Sequence, residues 1–140
     1  MLYILELSGY PVVLDCEAVD NLLVDLFIES EAEPPEQIIL VVDATDDPLY
    51  GNQEGKFFHG YYKAYCCLPL YIFCGEVLLC ARLRTADNDG AAGTVEELER
   101  IVECIRRSWP DTQILLRGDA IFCREYIMAW CEDNGVHLTT

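Results

Sequence analysis

The sequence has few basic residues. Nine Lys and Arg face 25 Asp and Glu, which gives a formal net charge of −16. Proteins that hold DNA normally present a basic face to the phosphates, so this composition predicts weak DNA binding by the chain itself. The acidic residues are spread along the chain, which is typical of a solvated surface. A cation site is the alternative use of some of these carboxylates.

Long hydrophobic runs are also missing. Although 52% of the residues are apolar, Asp, Glu or Pro interrupts every stretch before the roughly 18 apolar residues that a membrane helix needs. The apolar segment 1–10 contains Glu6 and no Lys or Arg, so it lacks the positive flank of a signal peptide. We therefore expect a soluble, cytoplasmic chain with no membrane partner.

Several common site motifs are absent. The eight cysteines include no Cys-x-x-Cys pair, and 140 residues can form a core without a disulfide framework, so we expect neither zinc binding nor structural disulfides. The sequence has no glycine-rich phosphate loop, and neither histidine lies in a catalytic-triad context. The remaining candidates for chemistry are the acidic residues.

Apolar periodicity predicts an α/β domain. A first helix places its apolar residues on one face, a Gly-Glu turn predicts a hairpin, and Thr94 with Glu97 predicts a capping box. The apolar residues of the first helix are Val19, Leu22, Leu23, Leu26 and Phe27. The predicted elements are a helix at 18–29, strands at 37–45, 65–74 and 77–84, a helix at 94–109, a strand at 113–117, a helix at 124–133 and a strand from 136.

After the first helix, this order matches the RNase H topology, in which an antiparallel three-strand meander is joined by parallel strands and flanked by helices. A right-handed crossover places the fourth strand parallel to the first and beside it. The unbroken apolar run 38–42 suggests a central strand covered on both faces. We predict a lead-in helical segment at 1–36 and an RNase H-like core at 37–140.

Two aspartates follow neighbouring strands of this predicted sheet. Asp43 ends the first strand and Asp119 follows the fourth, so both lie at carboxyl ends of parallel strands about 4.8 Å apart. Such close carboxylates repel each other unless a divalent cation lies between them, and oxygen ligands suit Mg²⁺ or Mn²⁺. The alternative is that each aspartate only caps a turn or helix, as Asp119 could for the helix that follows.

Two segments resemble the bacterial insertion-sequence transposases of the group-one DDE family. They are VVDATDDPLYGNQEGKFFHGYY at 41–62 and ILLRGDAIFCREYIMAWCEDNGV at 114–136. The intervening YCCLPLYIFCGEVLLCARLR and GAAGTVEELERIV also look like this family. The resemblance, which begins near Leu22, implies an RNase H-like fold that cuts and joins DNA at the ends of a mobile element with Mg²⁺.

Carried over by motif, the resemblance makes Asp43 and Asp119 the first and second catalytic, metal-binding aspartates, with Asp46 and Asp47 as weaker candidates for the first position. The family usually has an Asp at the position of Val41. It usually reads Arg-Ala-Asp-Ser-Gly-Phe where residues 117–122 read Arg-Gly-Asp-Ala-Ile-Phe, so an isoleucine replaces a glycine and is expected to strain a turn that relies on positive φ.

The third family carboxylate, a glutamate on a later helix, has no counterpart here, and Glu125 and Glu132 fall on the wrong helix to replace it. We therefore expect a truncated core, incomplete at its C-terminus, with little strand transfer of its own. The open alternatives are an inactive remnant, a regulator that pairs with full-length transposase, and a small acidic binding module with an exposed apolar patch. Pairing of the chain with a second copy of itself, as a homo-oligomer, is left open as well.

Candidate DNA contacts are His59, Arg117 and Arg124. The alternatives are a structural hydrogen bond for the histidine and ordinary surface ion pairs for the arginines. An aromatic cluster offers a stacking surface for an unpaired base, although core packing is the favoured interpretation. That cluster consists of Phe57, Phe58, Tyr61 and Tyr62.

Overall fold

The computed structural model describes residues 2–7, 10–49, 51, 57–60 and 64–139. The strands are β1 (Leu2–Leu7), β2 (Tyr10–Asp15), β3 (Gln37–Ala44), β4 (Asp47–Pro48), β5 (Phe57–His59), β6 (Ala64–Cys67), β7 (Leu70–Cys74), β8 (Val77–Arg82), β9 (Gln113–Arg117) and β10 (His137–Thr139). The helices are α1 (Cys16–Ser30), α2 (Thr94–Ser108) and α3 (Glu125–Asp133), with a 3-10 turn at Ala120–Phe122.

A five-stranded mixed sheet forms the centre of the fold, in the order β10-β9-β3-β7-β8. Strands β3, β7 and β8 form an antiparallel meander, whereas β9 runs parallel to β3 and β10 runs parallel to β9. The predicted meander and the predicted place of the fourth strand beside the first are therefore confirmed.

One predicted strand is divided in the structure. The run 65–74 forms β6 and β7, separated by Leu68 and Pro69, because proline has no N–H to offer a sheet and Leu68 instead donates its N–H to the Arg84 carbonyl. Strand β6 joins β4 and β5 in a separate three-stranded sheet. Segment 1–36 contains the antiparallel pair β1-β2 as well as the expected helix.

The core lies on one face of the central sheet. The buried residues of β3 are Ile38, Leu40, Val42 and Ala44, and they share one hydrophobic cluster with residues of all three helices. The intervening residues of β3 face away, where Ile39 is 38% exposed and Asp43 is exposed. The prediction that this strand is covered on both faces is therefore wrong.

Helix α1 uses a different face from the one that its apolar pattern predicts. Of the predicted residues only Phe27 is buried, in edge contact with Trp109, and Val24 is buried beside it. Val19, Leu22 and Leu26 are exposed. Among the described elements the helix packs mainly against α2 and β8, and these two do not cover a face as wide as the predicted one.

The predicted capping box of α2 is not formed. The N-cap is Gly93, whose φ of 76° is the left-handed conformation that glycine adopts without strain, and Thr94 is already the first helical residue. The buried Thr94 hydroxyl has no hydrogen-bond partner among the described residues. The predicted extent of the helix is correct, because α2 ends at Ser108, just before Trp109.

Candidate metal-binding cleft

Asp43 and Asp119 lie at the same edge and on the same face of the central sheet. The parallel register pairs Val41 of β3 with Arg117 of β9, and each aspartate lies two residues beyond its member of that pair. Side chains two residues apart on a strand project to the same face. Asp43 therefore projects to the same face as Val41, opposite the helices, and Asp119, which lies beyond the end of β9, lines the same cleft as Asp43.

The two carboxylates line one cleft of about 420 Å³. Both aspartates are exposed, so solvent and a dissolved ion reach them without a conformational change. The lining residues are Val41, Val42, Asp43, Phe73, Arg117, Gly118 and Asp119. The structure therefore brings together the two aspartates selected from the sequence, whereas their catalytic and metal-binding roles stay predictions.

The two carboxylates differ in how they are held. Asp119 precedes the 3-10 turn, and its Oδ1 accepts a hydrogen bond of 2.8 Å from the Ile121 N–H. Phe122 anchors that turn in the core. In contrast, no hydrogen bond or ion pair engages the Asp43 carboxylate within the described part of the chain. Asp119 is therefore a cap that keeps Oδ2 available to a ligand, and Asp43 has both oxygens available.

The turn after Asp119 accommodates Ile121 without backbone strain. The residue lies within a 3-10 helix, whose negative φ suits any L-residue, so the expected strain from replacing a glycine is wrong. Its side chain packs on Gly90, where an added Cβ would lie 2.8 Å from Ile121 Cγ2. Gly118 is similarly close to Phe122, since a Cβ there would lie 3.0 Å from the Phe122 Cβ.

The candidate DNA contacts are placed differently from one another. Arg117 is exposed in the cleft and has no ion-pair partner among the residues that the structure describes. Arg124 lies outside the cleft lining and pairs with Asp89 at 3.0 Å between Nη2 and Oδ2. For His59 the structure describes the backbone, which ends β5 opposite Ala64, and the side chain lies outside the described atoms.

The weaker candidates Asp46 and Asp47 lie beside Cys66 rather than in the cleft lining. Burial raises the pKa of the Cys66 thiol, and the nearby charges of Asp46, Cys67 and Asp47 raise it further. Asp47 belongs to β4 and pairs with Cys67. Asp46 and Asp47 therefore lie near the three-stranded sheet and not in the cleft that Asp119 lines.

The aromatic cluster is not part of the core where the structure describes it. Phe57 is 41% exposed and Phe58 is 58% exposed, so the favoured core-packing interpretation is wrong for these two. Phe58 makes an edge contact with Tyr65, with ring centroids 5.5 Å apart. Tyr61 and Tyr62 lie outside the described residues.

Two exposed carboxylates in an open cleft fit a hard divalent cation that keeps several waters. A group of three or more His, Cys, Asp or Glu side chains that could hold a metal ion does not occur among the described residues. The positive charge of Arg117 in the same cleft opposes a cation and favours an anion nearby.

In the described part of the chain, no helix is both long and apolar enough to span a membrane.

Arg84, a buried arginine outside the cleft lining, is not predicted from the sequence. It is 7% exposed and donates to the carbonyls of Leu68, Gly90 and Ala92 at 2.9, 2.9 and 2.7 Å. Burial lowers the pKa of its guanidinium, and repulsion from Arg82 lowers it further. Three backbone carbonyls leave no trace in a sequence, so no sequence signal could have identified these contacts.

The sequence matches the family model described as transposase DDE domain, group 1, over residues 9–140. The comparison with curated proteins gives no match. The structure is similar to the catalytic domain of Mos1 mariner transposase, with a TM-score of 0.51 and 9% identity over 89% of this chain and 57% of that one. A Mos1 paired-end complex with the left transposon end gives a TM-score of 0.49 and 9% identity, over 97% of this chain and 46% of the other. The chain therefore spans little more than half of the Mos1 catalytic domain, and the likeness to that domain confirms the predicted RNase H-like fold.

Proposed function

Because the chain belongs to the transposase DDE domain group 1 family, we propose that Asp43 and Asp119 are its first two metal-binding, catalytic carboxylates. The observation that carries this proposal is their shared cleft at the ends of two adjacent parallel strands. The substrate that we infer is DNA at transposon ends, and the reaction is metal-dependent strand cleavage and transfer.

The chemistry of the cleft supports a divalent cation. Two carboxylates on one face repel each other, and an ion held between them removes that repulsion. Mg²⁺ or Mn²⁺ suits a site with few protein oxygens and open positions for water. When bound, such an ion activates a water or a 3′-hydroxyl and stabilises the leaving oxygen of a phosphodiester.

The chain's own residues orient the two carboxylates and the substrate in this proposal. The Ile121 N–H holds one oxygen of Asp119 and leaves the other to face the cleft. Arg117 offers a guanidinium beside the carboxylates, where it would contact a phosphate of the bound strand. The pairing of Arg124 with Asp89 makes Arg124 a weaker candidate for the same role.

A second candidate function is cation binding without strand transfer. The described part of the cleft carries two carboxylates, whereas the family resemblance implies three, and the overall charge of −16 opposes DNA. In this second candidate the chain keeps the fold and binds the ion but does not cleave or transfer DNA strands. Incubation with a short DNA duplex and Mn²⁺ separates the two candidates, because strand products that disappear in Asp43→Asn exclude the second one.

Equilibrium Mn²⁺ binding tests the proposed site. We expect each of Asp43→Asn and Asp119→Asn to weaken the tightest Mn²⁺ binding by about tenfold or more, because each removes one anionic ligand. The matched control is Asp25→Asn, an equal charge change on exposed α1, which should alter the affinity less than about twofold. If both cleft variants bind Mn²⁺ as the unmodified chain does, the site is elsewhere.

A further inference from the structure

The buried guanidinium of Arg84 lies behind the segment that carries Asp119. A buried charge is costly unless its hydrogen bonds are satisfied, so its presence calls for a reason. Nε donates to the Leu68 carbonyl, and Nη1 donates to the carbonyls of Gly90 and Ala92. Nη2 is buried and has no partner among the described residues. Arg84 thus joins the junction between β6 and β7 to the loop 85–93.

That loop contacts the chain just beyond Asp119 at three successive residues. Asp89 pairs with Arg124, Gly90 packs against Ile121, and the Ala91 carbonyl accepts a hydrogen bond of 3.1 Å from the Tyr126 hydroxyl. Asp89 is itself fixed, because its Oδ1 accepts a hydrogen bond of 2.8 Å from the Ala91 N–H. The loop 85–93 is therefore a support for the segment 121–126.

The segment in turn sets the direction of the Asp119 carboxylate. Oδ1 of Asp119 accepts from the N–H of Ile121, the same residue whose side chain rests on Gly90. A displacement of the loop moves Ile121 and with it the hydrogen-bond donor that orients the carboxylate. Ligand positions of a metal site tolerate only a few tenths of an ångström of such error.

We propose that Arg84 is a positioning residue for Asp119, which acts by fixing loop 85–93 against the turn that orients this carboxylate. The proposal rests on the proposed function insofar as the orientation serves a bound cation. Arg84 is not part of the cleft lining, so the expected effect on cation affinity comes from a side chain that does not touch the ion.

The test compares Arg84→Met with Arg100→Met. Both variants remove a largely buried guanidinium, but the hydrogen bonds of Arg100 within the described residues go to Glu97 and Asn21, not to the loop or to Asp119. In metal-free protein, Arg84→Met should speed hydrogen exchange of the Ile121 amide by about tenfold, whereas Arg100→Met should change it less than about twofold. Mn²⁺ affinity should fall in the first variant alone, and Arg84→Lys should restore part of it.

The two readouts separate the failure of this inference from failure of the proposed function. If Ile121 exchange is unchanged in Arg84→Met, the positioning role is wrong, whatever the ion does. If the unmodified chain binds no Mn²⁺ at the cleft, the proposed function fails while the exchange result still decides the role of Arg84. Should Arg84→Met not fold, Arg84→Lys takes its place, because lysine cannot make the Nε and Nη1 hydrogen bonds together, and an unchanged Ile121 exchange rate there would equally overturn the inference.

Discussion

The two oxygens of the Asp119 carboxylate have different surroundings. Oδ1 caps the 3-10 turn through the Ile121 N–H, and Oδ2 has no such partner among the described residues. The capping and the metal-binding interpretations of this residue are therefore compatible. They are also separable, because an asparagine keeps the cap and loses the charge, whereas an alanine loses both.

We predict that Asp119→Ala lowers the free energy of unfolding by about 1 kcal/mol, the usual contribution of a capping oxygen. Asp119→Asn should lower it by a few tenths at most, and both variants should weaken Mn²⁺ binding by about tenfold or more. Urea unfolding measures the stability. Asp43→Asn is the companion variant, and its unfolding midpoint should not fall, because the Asp43 carboxylate makes no hydrogen bond within the described residues. Equal destabilisation by Asn and Ala at 119 would contradict the assignment.

Because the Cys80 thiol is buried, we predict that the free energy of unfolding depends on pH in the alkaline range. Burial raises the pKa of this thiol to about 12, and the neighbouring charge of Glu97 contributes. Below the unfolded value of 9.0 both states keep the proton, so the stability is unaffected there. Between pH 9 and about 12 only the unfolded chain ionises, and the free energy of unfolding should fall by up to about 1.4 kcal/mol per pH unit for this group.

The matched variant is Cys80→Ala, which removes the titrating group from both states. Burial also raises the pKa values of Cys66, Cys74 and Cys131, so the variant should keep a shallower slope. Denaturant unfolding of both proteins at several pH values above 9, under reducing conditions, gives the difference. Parallel curves for the two proteins would show that Cys80 ionises as readily in the folded chain as in the unfolded one.

At the scale of elements, the 3-10 turn and the loop 85–93 are packed as a complementary pair. Ile121 occupies the space that a side chain at position 90 would need. We predict that Gly90→Ala lowers the free energy of unfolding by about 1–3 kcal/mol through overpacking. In the presence of Ile121→Ala the same substitution should cost less, since the facing side chain is shortened.

A double-mutant cycle over positions 90 and 121 measures this coupling. We expect an interaction free energy of at least about 0.5 kcal/mol, because residues in direct contact are rarely additive. If the changes in the free energy of unfolding of the two single variants add up strictly, the Ile121 side chain does not require a glycine at position 90. In that case the loop and the turn are not mechanically linked.

The elements show where sequence patterns suffice and where they do not. The extents of α2 and β9 follow from apolar periodicity and from Pro110, and the structure has them close to the predicted bounds. The buried face of α1 does not follow, because the helix pattern contains more apolar residues than one neighbouring layer covers. The N-cap of α2 is Gly93 and not Thr94, because a glycine in the left-handed conformation competes for the capping position with the threonine that follows it.

At the scale of the whole molecule, the topology of the central sheet was predictable for physical reasons. Short turns force antiparallel neighbours, and a right-handed crossover leaves one place for β9 beside β3. The same argument placed Asp43 and Asp119 at one edge of the sheet. The β1-β2 pair does not follow from the sequence pattern, which predicts a lead-in helical segment at 1–36. Contacts such as those of Arg84 depend on backbone carbonyls that are distant in sequence.

The charge of the whole chain predicts its behaviour towards DNA. The chain has a net charge of −16. It therefore has no surplus of cationic side chains with which to displace counterions from the phosphates in nonspecific binding. We predict a dissociation constant weaker than about 10⁻⁴ M for a short duplex at physiological salt, measured by fluorescence anisotropy. Micromolar binding under these conditions would show that a local basic surface outweighs the net charge.

The central claim is that Asp43 and Asp119 hold one divalent cation between them. Paramagnetic broadening by substoichiometric Mn²⁺ locates that ion directly in the amide spectrum of the chain. We predict that the amides of residues 43–44 and 118–121 broaden first, and that Asp43→Asn abolishes this effect at both segments together. Broadening that begins elsewhere, for instance along acidic α1, or that survives at 118–121 in Asp43→Asn, contradicts a site shared by the two carboxylates.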